Sequence, residues 1–166
     1  MKFGTADLPE NEKLIVWEER FAMDIPSIDD EHKMLVDLCN SLYKAVMSGE
    51  NSMRKYFVRL SLRTCAGYVW THFAHEEKLL KLCNYKDFES HKAEHTAFAK
   101  KVLDKCSNFK NENFHYSMEF VMFLRDWFFS HIAHTDQLFA DDLKAYLKNN
   151  NAPDLFTPPL QNDAAV

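Results

Sequence analysis

Apolar residues recur at alternating intervals of three and four positions along four long segments of the chain, which is the spacing of a buried helix face. The pattern predicts helices over about residues 29–47, 52–83, 87–109 and 114–148. The connecting segments are short, so consecutive helices are expected to run antiparallel. We therefore predict an all-α, up-down-up-down four-helix bundle with an N-terminal arm and an irregular C-terminal tail.

Three parts of the chain follow from this pattern. Residues 1–27 are predicted to form the arm, residues 28–148 the bundle and residues 149–166 a flexible tail that holds three of the five prolines. The first helix is expected to start at Asp29 or Asp30, because carboxylates suit the positive end of a helix dipole.

Histidine interrupts the apolar face of each predicted helix, and a glutamate also interrupts the second. Burying one imidazole is ordinary, whereas burying five together with a carboxylate costs free energy unless each finds a partner. A metal ion satisfies several imidazole nitrogens at once, so the pattern predicts a metal site inside the bundle. The interrupting residues are His32, His72, Glu76, His91, His95 and His131.

The residue types narrow the choice of metal. Imidazoles with carboxylates and no thiolate suit zinc, iron, copper or nickel. A structural zinc site uses about four ligands, fewer than this chain offers, so the surplus favours two metal ions. The zinc-protease pattern that begins at His75 is incomplete, because Leu79 occupies the place of its second histidine.

Composition and charge exclude several classes of protein. The 166 residues carry a formal net charge of −5 without a long basic run, which argues against a nucleic-acid partner. No stretch is long and apolar enough for a signal peptide or a membrane span, so a cytoplasmic location is expected. The four cysteines form no CxxC pair and are interpreted as reduced thiols in the core.

The histidine-containing motifs, taken in order, resemble the haemerythrin family and most closely its bacterial single-domain members. The resemblance extends over about residues 17–140. Each motif alone is weak, whereas all of them in order on four predicted helices are specific. The matching stretches are residues 28–32, 72–77, 91–95 and 127–132, together with Asp136.

The resemblance implies a cofactor and a ligand set. The cofactor would be two iron ions bridged by an oxo or hydroxo group, with dioxygen as the ligand of a position left open on the iron that has fewer histidines. The implied iron ligands are His91, His95 and His131 on one iron, His32 and His72 on the other, and Glu76 and Asp136 as bridges.

The resemblance also implies an apolar oxygen pocket around the open position. Phe128 stands where members of the family often have leucine, and its larger ring is expected to narrow the pocket. The implied pocket residues are Leu35, Phe73, Trp127, Phe128 and Ile132.

Asp136 is selected by the family pattern alone. On an ideal α-helix it lies about 140° around the axis from His131, and His134 fits the buried face better. A ligand role for Asp136 therefore requires the helix or the side chain to bend toward the metals. We interpret His75, His115 and His134 as non-ligands.

The function that the resemblance implies is reversible dioxygen binding for transport or storage, without catalytic turnover. Two alternatives stay open. An oxygen or redox sensor would act through a signalling partner, and a di-iron enzyme would consume peroxide or nitric oxide. A carrier would also need a recipient, such as an oxygen-consuming enzyme.

Overall fold

The computed structural model describes residues 12–48, 51–109 and 113–150, and this part of the chain is almost entirely helical, without a strand. None of its helices is long and apolar enough to cross a membrane. The four long helices are α1 (Pro26–Met47), α2 (Asn51–Leu82), α3 (Phe88–Asn108) and α4 (Phe114–Trp127). Helix α4 continues through a π-helical segment (Phe128–Thr135) and a 3-10 turn (Asp136–Leu138) into α5 (Ala140–Asn149).

The four long helices form a closed bundle. Helix α1 packs against α2 and α4, and α2 also packs against α3. Helices α3 and α4 complete the bundle by packing against each other, with the aromatic ring centroids of Phe98 and Trp127 4.3 Å apart. The prediction of an all-α four-helix bundle is confirmed.

Helix α1 starts earlier than the sequence predicted. Pro26 occupies its first turn, where a fixed φ and a missing N–H both suit the start of a helix. Asp29 lies within that turn, and its carboxylate accepts a hydrogen bond of 2.8 Å from the backbone N–H of Met23. The prediction that the helix begins at Asp29 or Asp30 is therefore wrong, because the helix already begins at Pro26. The Asp29 carboxylate instead connects the arm to the first turn of the helix.

The fourth predicted helix is also not continuous. The π-helical segment and the 3-10 turn interrupt it between residues 128 and 138. At the chain ends, Asn149 is the last residue of α5 rather than the first of an irregular tail, and residues 151–166 lie outside the described part. The described part of the arm binds to α1 through the side-chain amide of Asn40, which pairs with the backbone of Leu14 and Ile15.

Two apolar clusters fill the bundle, and two histidines of α3 contact them. Phe73 of the larger cluster stacks on the ring of His95, with centroids 3.8 Å apart. Phe139 of the smaller cluster lies 5.3 Å from the ring of His91. These two histidines therefore lie between the two apolar clusters.

The cysteines divide into buried and accessible thiols, and all four are free. Cys39 and Cys65 are buried, Cys83 is half-buried and Cys106 is exposed. The interpretation of all four as core thiols is wrong for Cys106, because its position on α3 faces away from the bundle interior.

Candidate metal centre

All seven residues to which the resemblance gave an iron lie in one buried layer of the bundle. None of them is more than 2% exposed. Ligand atoms of six of them form two groups within 4.8 Å, which share Glu76, and Asp136 lies beside both groups. One group contains Glu76, His91, His95 and His131, and the other contains His32, His72 and Glu76.

The carboxylate of Glu76 lies between the two groups. Its Oε2 atom is 3.1 Å from Nε2 of His95 and 3.3 Å from Nε2 of His91. The same oxygen is 3.8 Å from Nε2 of His72 on the other side. This carboxylate could therefore bind a cation held by the histidines on either side.

The carboxylate of Asp136 spans the two sides with separate oxygens. Its Oδ1 atom lies 3.1 Å from Nε2 of His131 and 3.6 Å from Nε2 of His91. Its Oδ2 atom lies 3.3 Å from Nε2 of His32. Two carboxylates thus connect the group of three histidines with the group of two.

The π-helical segment explains how Asp136 reaches this layer. In a π-helix each N–H bonds to the carbonyl five residues earlier, so residues five apart approach one face. His131 lies inside the segment and Asp136 follows it directly. The π-helical segment therefore supplies the bend that a ligand role for Asp136 requires. His134, within the same segment, is exposed at the surface.

Many of the inward-facing atoms have no hydrogen-bond partner among the described residues. A buried polar group without a partner costs about 1–3 kcal/mol, so a cluster of them calls for a bound group. Imidazole nitrogens with carboxylate oxygens suit transition-metal cations, and the residues therefore fit a metal. The atoms are Nε2 of His32, His72, His95 and His131, Oε1 of Glu76 and both carboxylate oxygens of Asp136.

Burial favours the neutral form of two of the imidazoles, His32 and His131. It lowers the pKa of His32 and lowers the pKa of His131 to about 2, because an imidazolium loses its hydration in the interior. Both rings are therefore neutral at physiological pH. A neutral imidazole offers a lone pair, which is the form that ligates metals.

The pKa values of the two buried carboxyl groups are shifted in opposite directions. Burial and the neighbouring Glu76 raise the pKa of Asp136 well above its usual value. Burial also opposes ionisation of Glu76, but His72, His91 and His95 outweigh it and lower the pKa of Glu76 well below the usual value. Two carboxylates this close ionise together only if cations lie between them.

A second set of acids supports the histidines from outside the layer. Glu31 on α1 lies 2.7 Å from Nδ1 of His72 on α2, and its Oε2 atom is also 3.2 Å from Nδ1 of His75. Glu94 on α3 lies 2.7 Å from Nδ1 of His131. Such contacts place the proton on Nδ1 and direct Nε2 toward a metal.

The sequence analysis gave these acids no role, although a signal for them was present. Glu77 on α2 lies 3.2 Å from Nδ1 of His95, which completes a set of three with Glu31 and Glu94. Each of the three stands next to a predicted ligand in the sequence. Because neighbours on a helix point in different directions, each acid faces the next helix and reaches a histidine there.

The five predicted pocket residues lie in or against the larger apolar cluster. Trp127 is half-buried and stacks on the ring of His131 at 3.9 Å. Phe73 stacks on His95, whereas the ring of Phe128 lies 5.1 Å from Phe21 of the arm. Leu35 and Ile132 are fully buried.

The remaining histidines of the bundle lie outside the two groups of ligand atoms. His75 is buried beside Glu31. His115 is exposed and pairs with Glu119 at 3.2 Å, and His134 is also exposed.

Comparison with known proteins gives consistent matches over most of the chain. A family model described as the hemerythrin HHE cation binding domain matches residues 23–143. A bacteriohemerythrin of Stenotrophomonas maltophilia is 32% identical over 135 residues, which cover 81% of this chain and 84% of the relative. A bacteriohemerythrin of Methylococcus capsulatus is 29% identical over 133 residues, with 80% and 98% covered. A crystal structure of wild-type hemerythrin matches with a TM-score of 0.65 at 29% identity, covering 78% of this chain and 98% of that one.

Proposed function

Because the chain belongs to the haemerythrin family, we propose that it binds dioxygen reversibly at a pair of iron ions, as an oxygen carrier or store. One observation supports this above all others. Five imidazoles and two carboxylates converge on one buried layer, and many of their inward-facing atoms have no hydrogen-bond partner among the described residues.

The two groups of ligand atoms suggest how the irons would be divided. His91, His95 and His131 would hold one iron, and His32 and His72 would hold the other. Glu76 and Asp136 would bind both, which their distances to histidines on each side support. An oxo or hydroxo group would complete the bridge.

The division would be unequal, which supports a position for dioxygen on one side. If both carboxylates bind both irons, the side of His32 and His72 would have one protein ligand fewer than the other. A bound iron pair would supply the electrons that dioxygen takes up on binding and returns on release. The open position would therefore lie beside His32 and His72.

The protein's own residues would make that binding reversible by excluding water. Phe73 stacks on His95 and belongs to the larger apolar cluster, together with the buried Leu35 and Ile132. A dry pocket limits the access of protons, which would otherwise favour irreversible oxidation of the metals. The ligand imidazoles would be held in place by the hydrogen bonds of Glu31 and Glu94.

An absorption spectrum tests the proposal. The iron-loaded, reduced protein is measured before oxygen, after oxygen and after purging with argon. We expect a visible charge-transfer band that appears with oxygen and disappears on purging. H91A should lose the band, while H115A, which changes an exposed histidine, should keep it.

The same spectra separate the proposal from its alternatives. A rapid change to the oxidised form that purging does not reverse would contradict the carrier function. That outcome would favour a redox sensor, or an enzyme that consumes peroxide or nitric oxide.

A further inference from the structure

Tyr68 is a polar side chain in the apolar wall beside the histidine layer. It lies on α2, one turn before His72, and is only 2% exposed. Its ring stacks on the imidazole of His72, with centroids 4.6 Å apart and 24° between the planes. The ring of Phe73 lies 6.1 Å from it. Tyr68 therefore lies on the side of the layer that has only two histidines.

The hydroxyl group of Tyr68 has no hydrogen-bond partner among the described residues, and it is shielded from solvent. Another buried tyrosine shows the usual solution, since the hydroxyl of Tyr116 donates to the backbone carbonyl of Lys105. A buried phenol normally finds such a partner because its O–H loses the hydrogen bonds of water. An unpaired phenol next to a ligand site points to a bound group as its partner.

The hydroxyl of Tyr68 can act as a donor. A phenol has an ordinary pKa of about 10, so it keeps its proton at physiological pH. Its buried O–H can therefore be given to an acceptor that enters beside His72.

We propose that the Tyr68 hydroxyl donates a hydrogen bond to the small ligand that enters the open metal position beside His72. This inference rests on the proposed function and adds a polar residue to a pocket whose other assigned members are apolar. The hydrogen bond would strengthen binding of any small ligand that carries negative charge, because a charged acceptor makes a stronger bond. It would also slow the release of that ligand.

The experiment compares the wild-type chain with Y68F, which removes the hydroxyl and keeps the ring. Both are loaded with ferric iron and titrated with azide, a small anion, and the iron content of each is measured. We expect Y68F to hold the same iron and to bind azide on the order of 10-fold more weakly. Y85F is the matched control, because Tyr85 is a buried tyrosine of the other apolar cluster.

Two further measurements separate a ligand contact from a packing effect. The infrared band of bound azide in the wild type should shift between H2O and D2O, and Y68F should lose that shift. Urea unfolding of the metal-free proteins should show Y68F to be at least as stable as the wild type, since it loses an unpaired buried hydroxyl.

The outcomes distinguish this inference from the proposed function. Equal azide affinity in Y68F and the wild type, at equal iron content, would overturn the role of Tyr68 and leave the iron site standing. That is also the result if the hydroxyl pairs with an ordered water away from the metals. A wild-type azide band without a D2O shift would overturn it independently of any variant. A wild-type chain that binds neither an iron pair nor azide would overturn the proposed function, and this inference with it.

Discussion

The carboxylate of Glu31 on α1 lies 2.7 Å from Nδ1 of His72 on α2. Contacts of the same kind join Glu77 to His95 and Glu94 to His131, so that an acid from one helix supports a histidine of the next. The buried layer is therefore held by hydrogen bonds between neighbouring helices as well as by apolar packing.

Removing the Glu31 carboxylate is expected to weaken metal binding. E31A leaves Nδ1 of His72 without its acceptor, and loss of an outer hydrogen bond of this kind typically costs about 10–100-fold in metal affinity. E31Q keeps an acceptor oxygen and should cost less. Competition with a chelator for ferrous iron measures the affinity. E119A, which removes an exposed carboxylate paired with Lys105, should bind iron like the wild type.

Asp136 and His134 provide a direct test of the π-helical segment. D136A is expected to lower the iron content below two per chain, because Asp136 faces histidines of both groups. H134A should leave the iron content unchanged, since His134 is exposed. Iron analysis after gel filtration measures both. Equal losses in the two variants would contradict the placement of the two side chains.

Phe128 is expected to affect both stability and ligand access. It is fully buried against Phe21, so F128L should lower the free energy of unfolding by about 1 kcal/mol. If the ring narrows the pocket, F128L should also speed the association of azide with the iron-loaded protein. Urea unfolding and stopped-flow absorption measure the two effects.

The neighbouring Phe129 supplies the control for that substitution. It is 45% exposed, and F129L should change stability by less than about 0.5 kcal/mol. Slower azide association in F128L than in the wild type would count against a narrowing role for Phe128.

The thiols should differ sharply in reactivity. Burial raises the pKa of Cys39 to about 12, and only a thiolate is nucleophilic. Iodoacetamide at about pH 8 should therefore label the exposed Cys106 of the native chain and leave Cys39 and Cys65 unlabelled. Peptide mass spectrometry with and without urea measures this, and labelling of Cys39 without urea would show that the core opens.

Much of the candidate site could be predicted from the periodicity of the chain. His32, His72, His91 and His95 each fall on the apolar face of a regular helix, where a period of 3.6 residues decides which side chains point inward. The same periodicity predicted the bounds of α2 and α3 to within one residue. Regular helices make such predictions reliable because every residue turns the chain by the same angle.

The periodicity did not predict the inward position of Asp136. A helical wheel places it away from His131 and favours His134, and only the resemblance to a family selected it. The π-helical segment changes the angle per residue and reverses the choice. A helical wheel cannot represent that change, because it assumes the same angle for every residue.

The sequence by itself determined the helical class, the four amphipathic faces and the convergence of histidines on them, because these follow from residue type and helical period. Only the tertiary structure decided that Asp136 rather than His134 turns inward and that Glu31 and Glu94 support histidines of neighbouring helices. It also decided that the Tyr68 hydroxyl, beside His72, has no hydrogen-bond partner in the described part of the chain. These are contacts between residues far apart in the chain, or departures from the regular helix, and both are set by packing between elements rather than within one.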